Sequence, residues 1–291
     1  MGNTVLVLCP PDSAPPLLYL AELGREGGAL PPGVLNVVTG PLPELCRALR
    51  THPEVAAVTF LGAPQEQVQA LAWGSPCRGP RLGWARGGPV VVVVLDSADL
   101  DGAAAAIVGA VGTPPALFPW GGCVVLAQEG VVGSLERRLR ARFGGLRVGD
   151  PLEPNTDVGP LPPGAPHPGG MVGAAFEEGA EVFQPVPPPP PGGGRFYPPA
   201  LITGVAPTSR CLREPVTGPV LVLLPVRSPV EAAAVASSLP FAAASVWAQD
   251  VTAGLDTAQR LPQGLVWLNE LNLLDPGGGC AAGDAETTLE E

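Results

Sequence analysis

One short run of residues constrains the fold of this chain more than any other feature. Residues 90–95 read VVVVVL. β-Branched side chains favour strands, and a run of this length is typical of a buried strand. A membrane helix needs about 18 apolar residues, and no segment of the chain reaches that length. Asp99 follows and can cap a helix over residues 100–109, so the sequence predicts a strand followed by a helix.

The first part of the chain alternates between strand and helix signals. Strand–helix–strand at this spacing predicts a parallel sheet with crossover connections. The predicted strands are residues 4–8, 35–39 and 55–60, and the predicted helices are residues 17–27, 44–49 and 65–72.

A second unit begins near residue 85 and continues the alternation. Residues 160–170 and 185–194 are rich in Pro and Gly, which predicts irregular structure. The tail after Pro276 is Gly-rich and then acidic, so we expect it to be disordered. The predicted strands are residues 90–95, 124–128, 220–225, 245–248 and 265–269, and the predicted helices are residues 100–109, 133–143 and 229–237.

The charge of the chain excludes several classes of partner. The net charge is −11, and phosphate binding requires clustered Lys and Arg, so nucleic acid is not an expected partner. The acidic balance also predicts little attraction to anionic membranes. The basic run at residues 136–142 (ERRLRAR) has helical spacing, which favours a solvated helix face over a binding patch.

The cysteines indicate a reducing compartment. All six are scattered, without a CxxC pair or metal-ligand spacing, and the chain has only two histidines. We therefore expect free thiols, no metal site and a cytoplasmic location. The first residues carry neither the basic region of a secretory signal nor a myristoylation signal.

Several short phrases are spread over nearly the whole chain. They stand at residues 2–5 (GNTV), 30–40 (LPPGVLNVVTG), 52–55 (HPEV), 148–161 (VGDPLEPNTDVGPL), 196–203 (FYPPALIT), 218–220 (GPV) and 266–269 (VWLN). In sequence and in order, these phrases resemble the aldehyde dehydrogenase superfamily. The finer likeness is to the degenerate C-terminal domain of the two-domain family-16 aldehyde dehydrogenases.

The resemblance implies an α/β fold in two parts. Residues 1–84 would form part of a Rossmann-like dinucleotide-binding domain, and residues 85–265 an aldehyde dehydrogenase catalytic-type domain. Residues 266–291 would supply a returning strand and the acidic tail. Relatives begin well upstream, so we expect the first strands of the cofactor sheet and the start of the oligomerisation hairpin to have no counterpart here.

The same resemblance implies that the catalytic residues are missing. In active relatives a Cys thiolate attacks the aldehyde, hydride passes to NAD or NADP, and a Glu activates the water that releases the acid. The family pattern, aligned without gaps, places Pro119 at the nucleophile position and Ala85 at the general-base position. Neither side chain can do this chemistry. For Cys123, the remaining candidate, a buried structural thiol is favoured over a displaced nucleophile.

The residues that would hold the cofactor are substituted as well, so no cofactor is expected. The family's ribose-binding Lys and Glu, the second Gly of its phosphate turn, and its later Glu-x-Phe are all replaced. A Gln side chain at the phosphate turn occupies a position where backbone must approach pyrophosphate. The substituted positions are Leu8, Pro11, Gln67, Pro215 and Thr217, and Gly62 is the vestige of the phosphate turn.

Two other features allow a functional and a structural interpretation. Five prolines at residues 187–191 could form a polyproline II ligand, but a stiff surface loop is favoured. His167 is a lone imidazole in a Pro-rich stretch, so a loop residue is favoured over a ligand or a base.

Three functions are open at this stage, because a fold alone does not report function. The leading interpretation is a non-catalytic pseudoenzyme domain that serves subunit assembly or protein binding. Its partner would be another protein or a preceding aldehyde dehydrogenase domain, in a homo- or hetero-oligomer. The alternative is an NAD(P)-dependent aldehyde oxidoreductase whose active site is supplied by another domain or chain. A third is a small-molecule binder that uses the vestigial groove.

Overall fold

The chain divides into two compact units. Unit 1 comprises residues 1–60 and 64–83, and unit 2 comprises residues 61–63 and 84–291. Three predicted features lie wholly or mostly outside the described residues: the helix at 65–72, the five-proline run at 187–191 and the acidic tail. The computed structural model describes residues 2–50, 52–62, 81–86, 88–112, 120–161, 166–187, 195–214, 216, 218–239, 241 and 243–273.

Unit 1 begins with a strand–helix–strand element, as the sequence predicts. Strands β1 and β2 are parallel, with Val5 opposite Leu35 and Cys9 opposite Thr39. Helix α1 packs against β2 and has prolines only in its first turn, where no backbone N–H is required. The elements are β1 (Val5–Cys9), a 3-10 turn (Pro11–Ser13), α1 (Ala14–Glu26), β2 (Leu35–Thr39) and α2 (Leu42–Arg50).

A separate two-stranded sheet follows along the chain. It joins β3 (Ala57–Gly62) to β4 (Arg81–Arg86). The first of these strands is predicted from the sequence within two residues, whereas β4 is not.

Unit 2 contains a seven-stranded sheet with the strand order β11-β10-β5-β6-β9-β8-β7. Neighbouring strands are parallel except for β7, which runs antiparallel to β8 at one edge. The predicted α/β fold is therefore confirmed. The strands are β5 (Gly88–Val94), β6 (Trp120–Gln128), β7 (Glu181–Phe183), β8 (Ala200–Thr203), β9 (Val220–Val226), β10 (Ala243–Trp247) and β11 (Val266–Leu268).

Helices lie on both faces of this sheet. The helices of unit 2 are α3 (Leu100–Gly112), α4 (Glu129–Phe143), α5 (Gly169–Glu177), α6 (Arg210–Arg213), α7 (Pro229–Ser238) and α8 (Val251–Ala258). Ser228 caps α7 by accepting the Glu231 N–H at 3.2 Å, and Asp250 caps α8 by accepting the Thr252 N–H at 3.0 Å.

The valine run of β5 explains why both faces must be covered. Successive side chains of a strand point to opposite faces. Val91 and Val93 join the core beneath α5, α6 and α7, whereas Val90, Val92 and Val94 join the core beneath α3 and α4. All five are at most 3% exposed. Each such side chain contributes about 1.5–3 kcal/mol relative to an exposed one, so β5 anchors both cores.

Candidate functional site

Cys123 is the thiol that could have served as a displaced nucleophile. It lies in β6 at the centre of the sheet, opposite Val90 of β5 and Leu221 of β9, and it is 2% exposed. Burial raises the pKa of the Cys123 thiol to about 12. Because the thiolate is the nucleophile, a thiol in this position is a structural core residue.

The length of β6 places Cys123 deeper in the sheet than the sequence indicates. The strand is predicted to begin at residue 124, which would leave Cys123 at its mouth. That boundary is wrong, because β6 begins at Trp120 and Cys123 pairs with strands on both sides. Its side chain joins the core that α3 and α4 cover.

The other titratable candidates of the described residues make local structural contacts. Burial raises the pKa of Cys46 and of Cys211, and the Cys211 thiol donates to the Met171 carbonyl at 3.8 Å. Each histidine uses Nδ1 to accept a backbone N–H two residues further on. His52 accepts from Glu54 at 3.3 Å, and His167 accepts from Gly169 at 3.2 Å.

His167 also has an aromatic neighbour. Its ring meets the ring of Tyr197 edge to face, with centroids 5.3 Å apart. The exposed imidazole therefore orders the turn before α5 through one hydrogen bond and one ring contact.

Polar side chains gather at the carboxyl ends of the parallel strands, where ligands usually bind in α/β proteins. Here they hold the loops together. Gln128 Oε1 accepts the Asp96 N–H at 2.8 Å. Ser97 Oγ accepts the Asp250 N–H at 3.2 Å. Asn269 accepts from the Ala248 N–H at 2.9 Å and donates to the Ala248 carbonyl at 2.8 Å. These groups are engaged in positioning the backbone.

The catalytic positions predicted from the sequence remain predictions. Ala85 lies in β4 and Gly62 ends β3, so these two positions belong to neighbouring strands of one sheet. The positions outside the described residues are Pro119, Gln67, Pro215 and Thr217.

The cofactor that the resemblance implies does not fit the two described positions in unit 1. Leu8 is a half-buried residue of β1, and Pro11 is exposed at the start of the 3-10 turn. Neither side chain has a hydrogen-bonding group for ribose hydroxyls. The whole chain contains 16 arginines and no lysine, so no other lysine can take over at this position.

Two other kinds of site are not found among the described residues. Within the described part of the chain, no three His, Cys, Asp or Glu side chains stand close enough to hold a metal ion. No described helix is long and apolar enough to cross a membrane.

A mostly parallel sheet with helices on both faces places unit 2 among the doubly wound α/β proteins. The sequence profile described as "Aldehyde dehydrogenase family" matches residues 1–283. The chain therefore belongs to the aldehyde dehydrogenase family.

Named relatives agree with this assignment. The chain is 31% identical over 283 residues to betaine aldehyde dehydrogenase 2 of Rhizobium meliloti. The matched residues make up 95% of this chain and 57% of the relative. It is 31% identical over 281 residues to phenylacetaldehyde dehydrogenase of Pseudomonas fluorescens, with coverage of 94% and 55%. The chain thus spans little more than half the length of these relatives.

Solved structures are similar to the same extent. An NAD-dependent aldehyde dehydrogenase from Sinorhizobium meliloti superposes with a TM-score of 0.81 at 31% identity, covering 94% of this chain and 55% of that one. Lactaldehyde dehydrogenase from Escherichia coli superposes with a TM-score of 0.83 at 25% identity, with coverage of 94% and 58%.

Proposed function

We propose that this chain is a non-catalytic part of an NAD(P)-dependent aldehyde oxidoreductase whose active site is supplied by another domain or chain. The relatives are named as aldehyde dehydrogenases, which favours aldehyde oxidation as the activity of the whole protein. This chain spans 55–57% of their length.

The observation that carries the proposal is the burial of Cys123. A thiol whose pKa is about 12 has a thiolate fraction of roughly 10⁻⁵ at pH 7, and no aldehyde reaches it inside the sheet. Pro119 and Ala85, at the predicted nucleophile and base positions, offer no replacement. This chain would therefore support the reaction rather than carry it out.

A second candidate is a pseudoenzyme domain that serves subunit assembly or protein binding without any link to aldehyde oxidation. The chemistry of Leu8 and Pro11 favours it, because neither can hold a ribose. The names of the relatives favour the first candidate.

The finer identity belongs to the same proposal. A degenerate C-terminal domain of a two-domain family-16 aldehyde dehydrogenase would have these substitutions and would depend on a preceding catalytic domain. We also propose a cytoplasmic location, which suits the four described cysteines because all of them are free.

The purified chain should not oxidise aldehydes. We predict no formation of NADH or NADPH from betaine aldehyde or phenylacetaldehyde, and no NAD binding in the micromolar range by calorimetry. The physical reason is the absence of an ionisable nucleophile and of the ribose-binding groups. Steady NADH formation that disappears in a Cys123→Ser variant would refute the proposal and make Cys123 the nucleophile.

Adding a preceding catalytic domain of the family separates the two candidates. If this chain supports oxidation, the rate of the catalytic domain should rise at least tenfold when the chain is present. If the rate is unchanged although a complex forms, the pseudoenzyme candidate replaces the first.

A further inference from the structure

Helix α4 carries a group of arginines that its own unit neutralises only in part. We call Arg137, Arg138 and Arg142 the arginine face of α4, because they lie on one side of the helix. Arg138 pairs with Asp101 at 2.9 Å, and Arg142 donates to the Asp101 carbonyl at 3.4 Å. Among the described residues, no carboxylate pairs with Arg137 or Arg142, and both are exposed.

The arginine face concentrates positive charge on an acidic chain. Four of the 16 arginines lie within residues 137–142, whereas the whole chain has a net charge of −11. Arg138 and Arg142 are four residues apart, so they repel each other as neighbours on the helix surface. The carboxylate of Asp101 offsets one of the three positive charges. Because the planar guanidinium group matches the geometry of a carboxylate, further carboxylates would stabilise this face.

A segment of the same chain has the complementary charge. Residues 284–291 read DAETTLEE, with four carboxylates and no cation, and no Lys or Arg follows Arg260. This acidic segment lies outside the described residues. We infer that it docks on the arginine face of α4. The docking goes beyond the proposed function, because it depends neither on aldehyde oxidation nor on a catalytic partner.

The last described residues lead towards the arginine face. Leu271 and Trp267 belong to the core beneath α3 and α4, and the Leu273 carbonyl accepts from Trp267 Nε1 at 2.9 Å. Helix α4 packs on β6 and β9, which lie three and four strands from β11, a distance of about 14–20 Å. Residues 274–283 include four glycines, and a Gly-rich chain of ten residues spans on average about 16–19 Å. This connection is therefore long enough to bring the acidic segment to α4.

The covalent connection favours the acidic segment over a separate anionic molecule. A segment joined by a short linker has an effective concentration in the millimolar range, so a few exposed ion pairs are enough to hold it. A nucleic acid would be repelled by the net charge of −11. The acidic segment thus covers α4, and any anionic partner of this face must displace it.

Cleavage by a glutamyl endopeptidase tests the docking in the full chain. Cutting after Glu286 releases residues 287–291, and mass spectrometry gives the initial rate relative to a free peptide of residues 281–291. At low salt, we expect the wild type to be cut at least about threefold more slowly than the peptide, because docking hides the site. In 1 M NaCl the two rates should converge, since exposed ion pairs are screened.

Charge reversal on α4 should remove this protection. We expect Arg142→Glu to be cut within about 1.5-fold of the free peptide at low salt, because the reversal opposes docking. The matched control is Arg260→Glu, which changes the net charge equally. Arg260 is an exposed arginine just after α8, and α8 packs on the core of the opposite face of the sheet. The control should keep the wild-type protection.

A second variant leaves every described residue unchanged. Asp284→Asn, Glu290→Gln and Glu291→Gln together remove three of the four carboxylates of the acidic segment. This variant should be cut as fast as a free peptide of its own sequence. It therefore tests the docking even if Arg142→Glu fails to fold.

The contrary outcomes are specific. A wild type that is cut as fast as the free peptide at low salt refutes the docking. Equal loss of protection in Arg142→Glu and Arg260→Glu also refutes it, because net charge alone would then explain the effect. Protection that disappears on dilution would assign the acidic segment to a second copy and overturn docking within one chain.

Discussion

Asn269 shows how single polar residues at the strand ends are used. Its φ of 54° is left-handed, a conformation that asparagine tolerates better than most residues. Its backbone N–H donates to the Val246 carbonyl at 2.8 Å, and its side-chain amide makes both bonds to Ala248. The amide thereby extends the β10–β11 ladder where the backbone has already turned away.

Replacing Asn269 should destabilise unit 2. We predict that Asn269→Ala lowers the free energy of unfolding by about 2–3 kcal/mol, since two hydrogen bonds and a residue suited to left-handed backbone are lost. Urea denaturation measures the change. Asn272→Ala is the matched control, because Asn272 also has a left-handed φ, 61°, but its Oδ1 accepts no hydrogen bond. Equal losses in the two variants would refute the role of the amide.

The buried thiol of Cys123 links stability to pH. Burial raises its pKa from 9.0 to about 12, so between these values the unfolded chain releases a proton that the folded chain keeps. The contribution is complete below pH 9 and is lost as the pH rises towards 12. From pH 7.5 to 9.5, the wild type should lose about 0.8 kcal/mol more stability than Cys123→Ala in urea denaturation. Parallel losses would mean that the thiol ionises in the folded chain.

Among the elements, helix α4 contacts the edge strand β7 through the side chain of Arg140. Arg140 Nη2 lies 2.6 Å from Glu181 Oε1 and 2.8 Å from Glu136 Oε1, and its guanidinium stacks over the ring of Phe183 at 4.8 Å. The carboxylates, Glu181 first, raise the pKa of Arg140. Within the basic run at 136–142, Arg138 also pairs with an acid of its own unit, Asp101, at 2.9 Å.

Removing these contacts of Arg140 should lower the stability of the sheet edge at β7. We predict that Arg140→Ala costs about 1–2 kcal/mol, discounted for the partly exposed ion pairs. Arg137→Ala, whose bonds stay within α4, should cost less than about 0.5 kcal/mol. Thermal melts at low salt and in 1 M NaCl measure both. The difference should narrow with salt, because exposed ion pairs are screened. Equal stability of the two variants would refute the role of Arg140 in joining α4 to β7.

The sequence predicts elements best where their signals are local. The β-branched runs of β5 and β9 and the capped helix α3 are confirmed within a few residues. The strands β7 and β8 are not predicted from the sequence, because they have only three and four residues and form only through tertiary pairing. Helix α8 mixes Thr, Gly and Asp, so only its cap at Asp250 marks it.

The candidate site divides in the same way. The apolar strand around Cys123 predicts its burial, since the neighbouring residues are valines and leucine. The clamp between Asn269 and Ala248 joins residues 21 positions apart, so no local pattern reveals it. By contrast, the sequence alone shows that all 16 Lys and Arg residues are arginines. This composition bears directly on cofactor binding, because the family's ribose-binding lysine is missing.

At the scale of the whole molecule, helices cover both faces of the sheet of unit 2, and β11 is an edge strand among the described residues. At this edge, Ala244 N–H donates to the Leu265 carbonyl at 3.0 Å, and Asn269 N–H donates to Val246. The parallel ladder therefore turns the backbone groups of Val266 and Leu268 away from β10. No described strand pairs with β11 on that side.

This edge leads to a prediction about assembly. Exposed strand edges aggregate unless they are paired, covered or charged, and β11 reads VWL, without a charge. We predict that residues 1–291 alone form aggregates or ill-defined oligomers in light scattering, and that a preceding aldehyde dehydrogenase domain converts them to a defined particle by supplying a strand that pairs with this edge. A monodisperse monomer in light scattering would contradict this and would make the chain a self-sufficient binding module.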